Sequence, residues 1–390
     1  NKTGYHLVRV NPQRDFTINS LAVAFDPQRA GLLAPYQLID PTAGAAALRQ
    51  AIVRHCSDRA FVDDPLRLLR AYRFMAELDF RLAPETEDLL RAQAMLIGGV
   101  AGERLAHELQ LIMASPRACA TVRAMARSRL LEALFPELAA GRGMKQPSCH
   151  HLDVFDHCLE ALCRMEEIQE QPARFFPDTA GQVSDYLAAG ANAALLKWAA
   201  LLHDIGKPGV RSYGEGGRII FHGHDRLGGE LGLEVAGRLR WSRQDTRRLA
   251  QLIRGHMRPH HLHPVLSKGR FTPRAALRLV KELGEDVVGV FVLAMADSLA
   301  TAGPGKPPVS EEGIAALHAA VIRCWQQRIR PVLSRPRLLS GHDIMALFDL
   351  APGPLVGKIT AELERAEVAG EVTGKEEARE WVADYLERVR

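Results

Sequence analysis

From about residue 48 the chain stops alternating between strand-like and helix-like runs. Amphipathic segments then follow one another at 64–80, 84–97, 102–114, 116–128, 153–169, 191–204, 225–240, 243–256, 273–283, 285–299 and 311–328. In these segments apolar residues recur every three or four positions, which gathers them on one helix face. A chain patterned this way buries its apolar stripes by packing helix on helix. Only the opening differs. "YHLVRV" (5–10) and "YQLID" (36–40) read as strands, "FTINSLAVAF" (16–25) has helical spacing, and "DPTAGAAALRQ" (40–50) is a turn into a helix. The expected fold class is mainly α, with the tail of an α/β unit at its start.

At 390 residues the chain exceeds one compact core; a length of roughly 100–200 residues per domain implies two to four units. Residues 171–186, rich in Pro, Gly and Asp, read as a surface loop. The Gly-rich 211–225 reads as a hairpin, the Pro-containing 303–308 as a linker, and 336–390 as a last helical unit. The net charge of +4 permits an anionic partner without demanding one. Six cysteines (56, 119, 149, 158, 163, 324) form no CxxC pair, so free thiols in a reducing, cytoplasmic compartment are expected. The longest apolar run, "VVGVFVLAMA" (287–296), ends at Asp297. That is short of the roughly 20 residues a bilayer needs, so no membrane partner is expected.

"VDDPLRLLRAYRF" (62–74) is an informative helix start. Asp64 suits the N-cap and Pro65 the first turn. Arg67, Arg70 and Arg73 spiral along one flank, climbing about 9 Å, while Leu68, Leu69, Tyr72, Met75 and Ala76 occupy the opposite arc. One reading is a solvated basic face. The other is recognition of phosphate or of a base edge, because a guanidinium offers paired planar donors and an adjacent Asp the complementary acceptor.

Three collinear segments carry a resemblance. "QRDFTINSLA" (13–22), "IDPTAGAAALRQAIVRHC" (39–56) and "DDPLRLLRAYRF" (63–74) resemble the motifs of the class II tRNA nucleotidyltransferase (CCA-adding enzyme) and bacterial poly(A) polymerase family, in order and spacing. The resemblance implies that Arg14 and Asp15 face the phosphates and ribose of a bound nucleotide. It makes Asp64 and Arg67 an amino-acid template for the base of CTP or ATP, with Arg70 and Arg73 supporting that site and the triphosphate. There are departures: Gln13 replaces an Arg, Asp63 a Glu, and Ala46–Ala47 stand where an acidic residue is expected. The family's first motif, a Gly-rich turn followed by a DxD pair for Mg²⁺, is not within these residues. The expectation is therefore a fragment with a truncated head that cannot transfer nucleotides alone.

A second series comprises "HHLDVFDHCLEAL" (150–162), "ALLHDIGKP" (200–208), "FHGHDRLGG" (221–229), "IRGHMRPH" (253–260) and "AMADSLA" (294–300). Imidazole and carboxylate groups on helices suit a divalent transition metal. His203–Asp204 closing an apolar helix, with Lys207 following, resembles the HD-domain superfamily of metal-dependent phosphohydrolases. By that resemblance His157, His203, Asp204 and Asp297 are the core metal ligands, and His224 and His256 serve a second metal or phosphate. Asp204 and Lys207 are the candidate catalytic residues, with Lys207 on phosphate. His150, His151, His222, His260, His261 and His263 are weaker candidates. A second His-Asp pair, His342–Asp343 in "SGHDIMALF" (340–348), reads as a helix start and not a metal site.

Together these readings imply a mainly α chain. Residues 1–47 would be the C-terminal part of a nucleotidyltransferase head, 48–140 a helical neck, 141–305 an HD domain and 306–390 a helical C-terminal unit. The implied function is addition of CMP and AMP to the tRNA 3′ end by the full-length protein, with CTP, ATP and tRNA or another RNA 3′ end as partners. Poly(A) synthesis and partial CC- or A-addition are the alternatives within the family. A phosphohydrolase working only through the HD domain, or a non-catalytic RNA-binding remnant, are the alternatives outside it. The oligomeric state stays open.

Overall fold

A computed structural model describes residues 14–23 and 38–389. The expected strand at 5–10, Gln13 and part of the 36–40 strand lie outside those residues.

The segment 16–25, expected to be helical, is not. Thr17–Asn19 forms a single 3-10 turn, and Ala22–Val23 (β1) pairs antiparallel with Leu38–Ile39 (β2). The backbone around Phe16 is already committed elsewhere. Thr17 donates to Arg54 O at 2.9 Å, Cys56 donates to Asp15 O at 3.1 Å, and Asp15 Oδ1 takes the Phe16 N–H at 2.9 Å. These bonds compete with a helical ladder. Asp40 accepts the amides of Gly44 and Ala45 and so caps the short helix Gly44–Arg49. Gly44 is needed there, since a Cβ would stand 2.1 Å from Thr17 O.

Arg67–Leu78 (α1) starts two residues later than Pro65. Its N-cap is therefore Leu66 and not Asp64, which accepts the Leu66 N–H at 3.2 Å from just before the helix. Leu68, Leu69, Tyr72 and Ala76 are buried as their arc predicted, against Gly102–Ala114 (α2) and Ala118–Arg127 (α3). Ile52–Val53 (β3) and Arg81–Leu82 (β4) form a short parallel pair beside α1.

Val154–Glu170 (α4) is the hub of the next layer. It packs on α3, on Asn192–Leu202 (α5) and on the later apolar helix Val287–Ala300. Residues 171–186 are not a loop. Two helices, Pro172–Phe175 and Ala180–Ala188, join through a 3-10 turn because Phe176, Val183 and Tyr186 must be buried. The expected hairpin does form: Ser212–Tyr213 (β5) pairs antiparallel with Ile219–Ile220 (β6). His224–Arg238 (α6) and Arg243–Gly255 (α7) form an antiparallel pair, followed by Met257–Ser267 (α8), which its internal prolines concealed in the sequence. Pro273–Leu283 (α9) and Val287–Ala300 (α10) complete this layer.

Residues 303–308 are docked and do not act as a free linker. Gly303 N–H bonds Cys149 O at 2.7 Å, and a Cβ at Gly303 would stand 2.3 Å from Ser148 O. Ser310–Cys324 (α11) packs on α8 and α10. Phe16 through Val368 contribute to one continuous hydrophobic core, whereas Gly341–Phe348 (α12), Pro354–Ala369 (α13) and Lys375–Val389 (α14) close around a smaller one between Leu339 and Leu386.

The cysteines are not all free. Packing of α3 on α4 brings Cys119 and Cys163 to a Cα separation of 5.0 Å, and they form a disulfide. Sequence spacing could not show this because the two lie 44 residues apart. Among the described residues no helix is long and apolar enough to cross a membrane.

Candidate metal centre and nucleotide pocket

α5 is buried on nearly every side and ends at His203, so the chain delivers His203 and Asp204 into the interior in one turn. Gly206 permits that turn to lie against α6: a Cβ there would meet His224 O at 2.2 Å. α4 supplies His157, α10 supplies Asp297, the first residue of α6 is His224, and His256 follows α7.

The six side chains converge. His157 Nε2 lies 3.2 Å from His203 Nε2, 3.0 Å from Asp297 Oδ1 and 3.4 Å from Asp204 Oδ2. On the other side of Asp204, Oδ1 stands 3.4 Å from His224 Nε2 and 3.9 Å from His256 Nε2. His260 on α8, a weaker sequence candidate, reaches Asp297 Oδ2 at 3.0 Å.

The second ring nitrogens fix the tautomers. His203, His224 and His256 each place Nδ1 against the carbonyl three residues earlier, those of Ala200, Phe221 and Ile253, at 2.9, 2.8 and 2.6 Å. A carbonyl only accepts, so each Nδ1 carries a proton, and in its neutral form each ring offers its Nε2 lone pair to the centre. Asp204 adds two buried oxygens: Oδ2 faces the Lys207 ammonium, and Oδ1 accepts no hydrogen bond among the described residues. Imidazole nitrogens and carboxylate oxygens gathered at one point favour a cation between them. This donor set therefore fits a divalent transition metal.

Without a cation, His203 itself takes up positive charge. Burial works against ionised Asp204 and Asp297, yet His203 and Lys207 outweigh it at Asp204, and His157, His203 and His260 at Asp297, so both stay well below the usual carboxylate range. Burial also opposes a charged His203, but Asp204 and Asp297 raise it to about 10. Burial, then repulsion from His203 and His224, lowers His256 to about 3. Lys207 stands 2.5 Å from Asp204 Oδ2 and 2.7 Å from Gln146 Oε1. A cavity of about 560 Å³ opens over this centre.

His151 is turned away, accepting the Ala302 N–H. At the second His-Asp pair, Ser340 and Asp343 form a reciprocal capping box for α12, as a helix start requires.

A separate cavity of about 670 Å³ lies between the 14–21 segment and the start of α1. Arg14, Asp15, Asp64, Arg67 and Arg70 line it; Arg73 does not. Arg73 is bound to Glu108 and Glu77, both at 2.6 Å, and covers the Phe74 ring. Asp15 is buried and held by two nitrogens of Arg70 at 2.7 and 2.8 Å. The arginine stripe is thus no solvated face: the Arg70 and Arg73 side chains are only 30% and 13% exposed. Two residues of α2 were not foreseen. Arg104 reaches Asp64 at 3.0 Å and lines the cavity, and buried Glu108 joins Arg70 to Arg73. Nothing in the local pattern of α2 marks them, because their partners are 40 and 35–38 residues away.

The pocket carboxylates do not fit a Mg²⁺ ion, since Asp15 is committed to Arg70 and Asp64 to Arg104.

Two segments of the chain match known family models. Residues 79–141 match the model described as the probable RNA and SrmB-binding site of polymerase A, and 154–302 match the HD domain. The chain is 35% identical to an A-adding tRNA nucleotidyltransferase of Deinococcus radiodurans, covering 96% of this chain and 78% of that protein. It is 32% identical to a CC-adding tRNA nucleotidyltransferase of Thermus thermophilus, covering 85% and 69%. The fold matches a Thermotoga maritima CCA-adding enzyme solved with tRNA, at a TM-score of 0.58, 21% identity and coverage of 96% and 73%.

Proposed function

The chain belongs to the tRNA nucleotidyltransferase family and carries an HD domain, and from that premise we propose that it serves two phosphoryl chemistries at separate sites. The first is addition of CMP or AMP to the 3′ end of tRNA. The observation that supports it is the convergence of Arg14, Asp15, Asp64, Arg67 and Arg70 on one cavity beside the neck. Asp64 and Arg67 would read the base of CTP or ATP as acceptor and donor, and Arg14 would meet phosphate. Arg70 would act through Asp15, holding it in place. In the transfer, the RNA 3′ oxygen bonds the α-phosphorus and pyrophosphate leaves. Three relatives that match over 338 to 391 residues are A-adding or CC-adding enzymes, which favours a partial adder over a poly(A) polymerase. Such a substrate implies a cytoplasmic location. The test is titration of the chain with CTP and ATP; failure to bind either nucleotide removes the pocket assignment.

The second is phosphoester hydrolysis at the HD site. His157, His203, Asp204 and Asp297 would hold a divalent transition metal, with His224 and His256 on the far side of Asp204. Such a metal polarises phosphoryl oxygens and lowers the pKa of bound water. Lys207 would neutralise phosphoryl charge. Metal analysis and phosphoester assays on the wild type and Asp204→Ala test this reading. A wild type that binds no metal and hydrolyses nothing leaves the domain as a scaffold.

A further inference from the structure

The cavity over the metal centre is larger than a lone phosphoryl group requires. At about 560 Å³ it has the size of pockets that take nucleotide-sized ligands. One wall is the β5–β6 ribbon, which contributes Arg218, Ile219 and Ile220. Three cationic side chains line the cavity. Lys207 is paired with Asp204 and Lys306 with Glu311, whereas the Arg218 guanidinium has no partner among the described residues.

The same ribbon presents Tyr213, the cross-strand partner of Ile219. Tyr213 is 63% exposed and is the sole aromatic ring among the large exposed apolar side chains of the described residues. The Arg211 guanidinium lies 5.2 Å from its ring centre. The sole acid between these residues, Glu215, is at the tip, where Gly216 and Gly217 turn the chain with φ of +67° and +74°. An exposed ring beside the Arg211 guanidinium, on a ribbon that carries Arg218 at the cavity wall, suits single-stranded nucleic acid, because every base has a stacking face and the backbone phosphates take arginine.

We propose that the ribbon from Arg211 to Ile220 is a single-stranded RNA contact that feeds the metal centre, with a base stacked on Tyr213 and a phosphodiester on Arg218. This rests on reading the HD site as a phosphohydrolase. It makes the substrate class an RNA end bearing a terminal 3′-phosphate, in preference to free mononucleotides. Water adds its oxygen to the phosphorus, the bond from phosphorus to the 3′ oxygen breaks, and that oxygen takes a proton from the water. The products are an RNA 3′-hydroxyl and inorganic phosphate.

The test uses the whole chain and a fluorescein-labelled hexaribonucleotide ending in a 3′-phosphate. In anisotropy titrations Tyr213→Ala and Arg218→Ala should each weaken binding about tenfold, and Tyr213→Phe should restore most of it, since the ring and not the hydroxyl does the stacking. With metal loaded, Arg218→Ala should lower the preference for the hexamer over a 3′-mononucleotide, read as the ratio of kcat/KM, about tenfold. Unchanged hexamer binding in both alanine variants overturns the proposal. If the variants lose binding but the wild type hydrolyses neither substrate, the RNA contact stands and the phosphohydrolase reading falls. If hydrolysis proceeds with its preference unaltered, the reverse holds.

Discussion

The Nε2 atoms of His224 and His256 lie 3.3 Å apart while both rings donate their Nδ1 protons to backbone carbonyls. Two lone pairs at that distance repel unless a proton or a metal cation stands between them. The arrangement suits a metal cation at that point.

Asp204 stands between the two groups of imidazoles, so Asp204→Ala should remove metal from both. Metal affinity should fall by more than about a hundredfold, beyond the loss expected for an outer-shell partner, with hydrolysis falling alongside. His342→Ala, at the capping pair of α12, should keep full metal content by elemental analysis. Retention of metal by Asp204→Ala and its loss from His342→Ala would reverse the assignment.

Arg67→Ala should reduce discrimination among CTP, ATP, UTP and GTP by about 1–3 kcal/mol, the worth of a bidentate base contact. Calorimetric titration with the four nucleotides measures it. Equal affinities ratios in wild type and variant would end the templating role.

Arg70→Ala should act differently, through stability. It leaves the Asp15 carboxylate buried without its guanidinium, at a cost of about 3–5 kcal/mol. Denaturant unfolding reads that loss. Arg70→Lys should recover only part of it, because a point charge cannot reproduce the two-nitrogen contact.

His318 on α11 is enclosed by the Phe176 and Phe291 rings, with Thr179 Oγ1 at 2.7 Å from Nδ1 and no partner for Nε2. Burial lowers its pKa to about 4 from an ordinary 6.5. Below pH 6.5 the unfolded chain takes up a proton that the folded chain refuses. Stability is thus lost as pH falls from 6.5 towards 4, by about 3 kcal/mol in total. The difference between wild type and His318→Gln in pH-dependent unfolding should grow across that window and stay flat above it.

Reduction of the Cys119–Cys163 bond should destabilise the α3–α4 contact by about 2–4 kcal/mol. Thiol titration before and after reductant should rise by two groups, and Cys163→Ser should abolish both the rise and the reductant-dependent shift in unfolding.

Much of this molecule was legible from local pattern. Helix α2 runs over the expected 102–114 and α9 over 273–283, because apolar periodicity alone decides which face a helix buries. The His157, His203, Asp204 and Asp297 group was named through its resemblance to the HD-domain superfamily, and the structure brings the four side chains together. The segment after Asp15 misled, since its helical spacing gives no sign that its backbone is bonded to residues 54–56. Residues 171–186 misled through their Pro and Gly content, which describes a chain that bends and not one that is exposed.

The residue types and their helical spacing were enough to determine a mainly helical chain with a cluster of histidines and aspartates and an arginine-striped helix. Only the tertiary structure decided which arginines reach the pocket. Arg67, Arg70 and Arg73 are equivalent along the chain, but Glu108 and Glu77 draw Arg73 away while Asp15 holds Arg70 at the rim. It decided likewise that Arg104 meets Asp64 and that Cys119 meets Cys163. The physical reason is common to all three: ion pairing and bonding act over a few ångströms in space, and the 35 to 55 residues between these partners carry no local signal of where packing will bring them together.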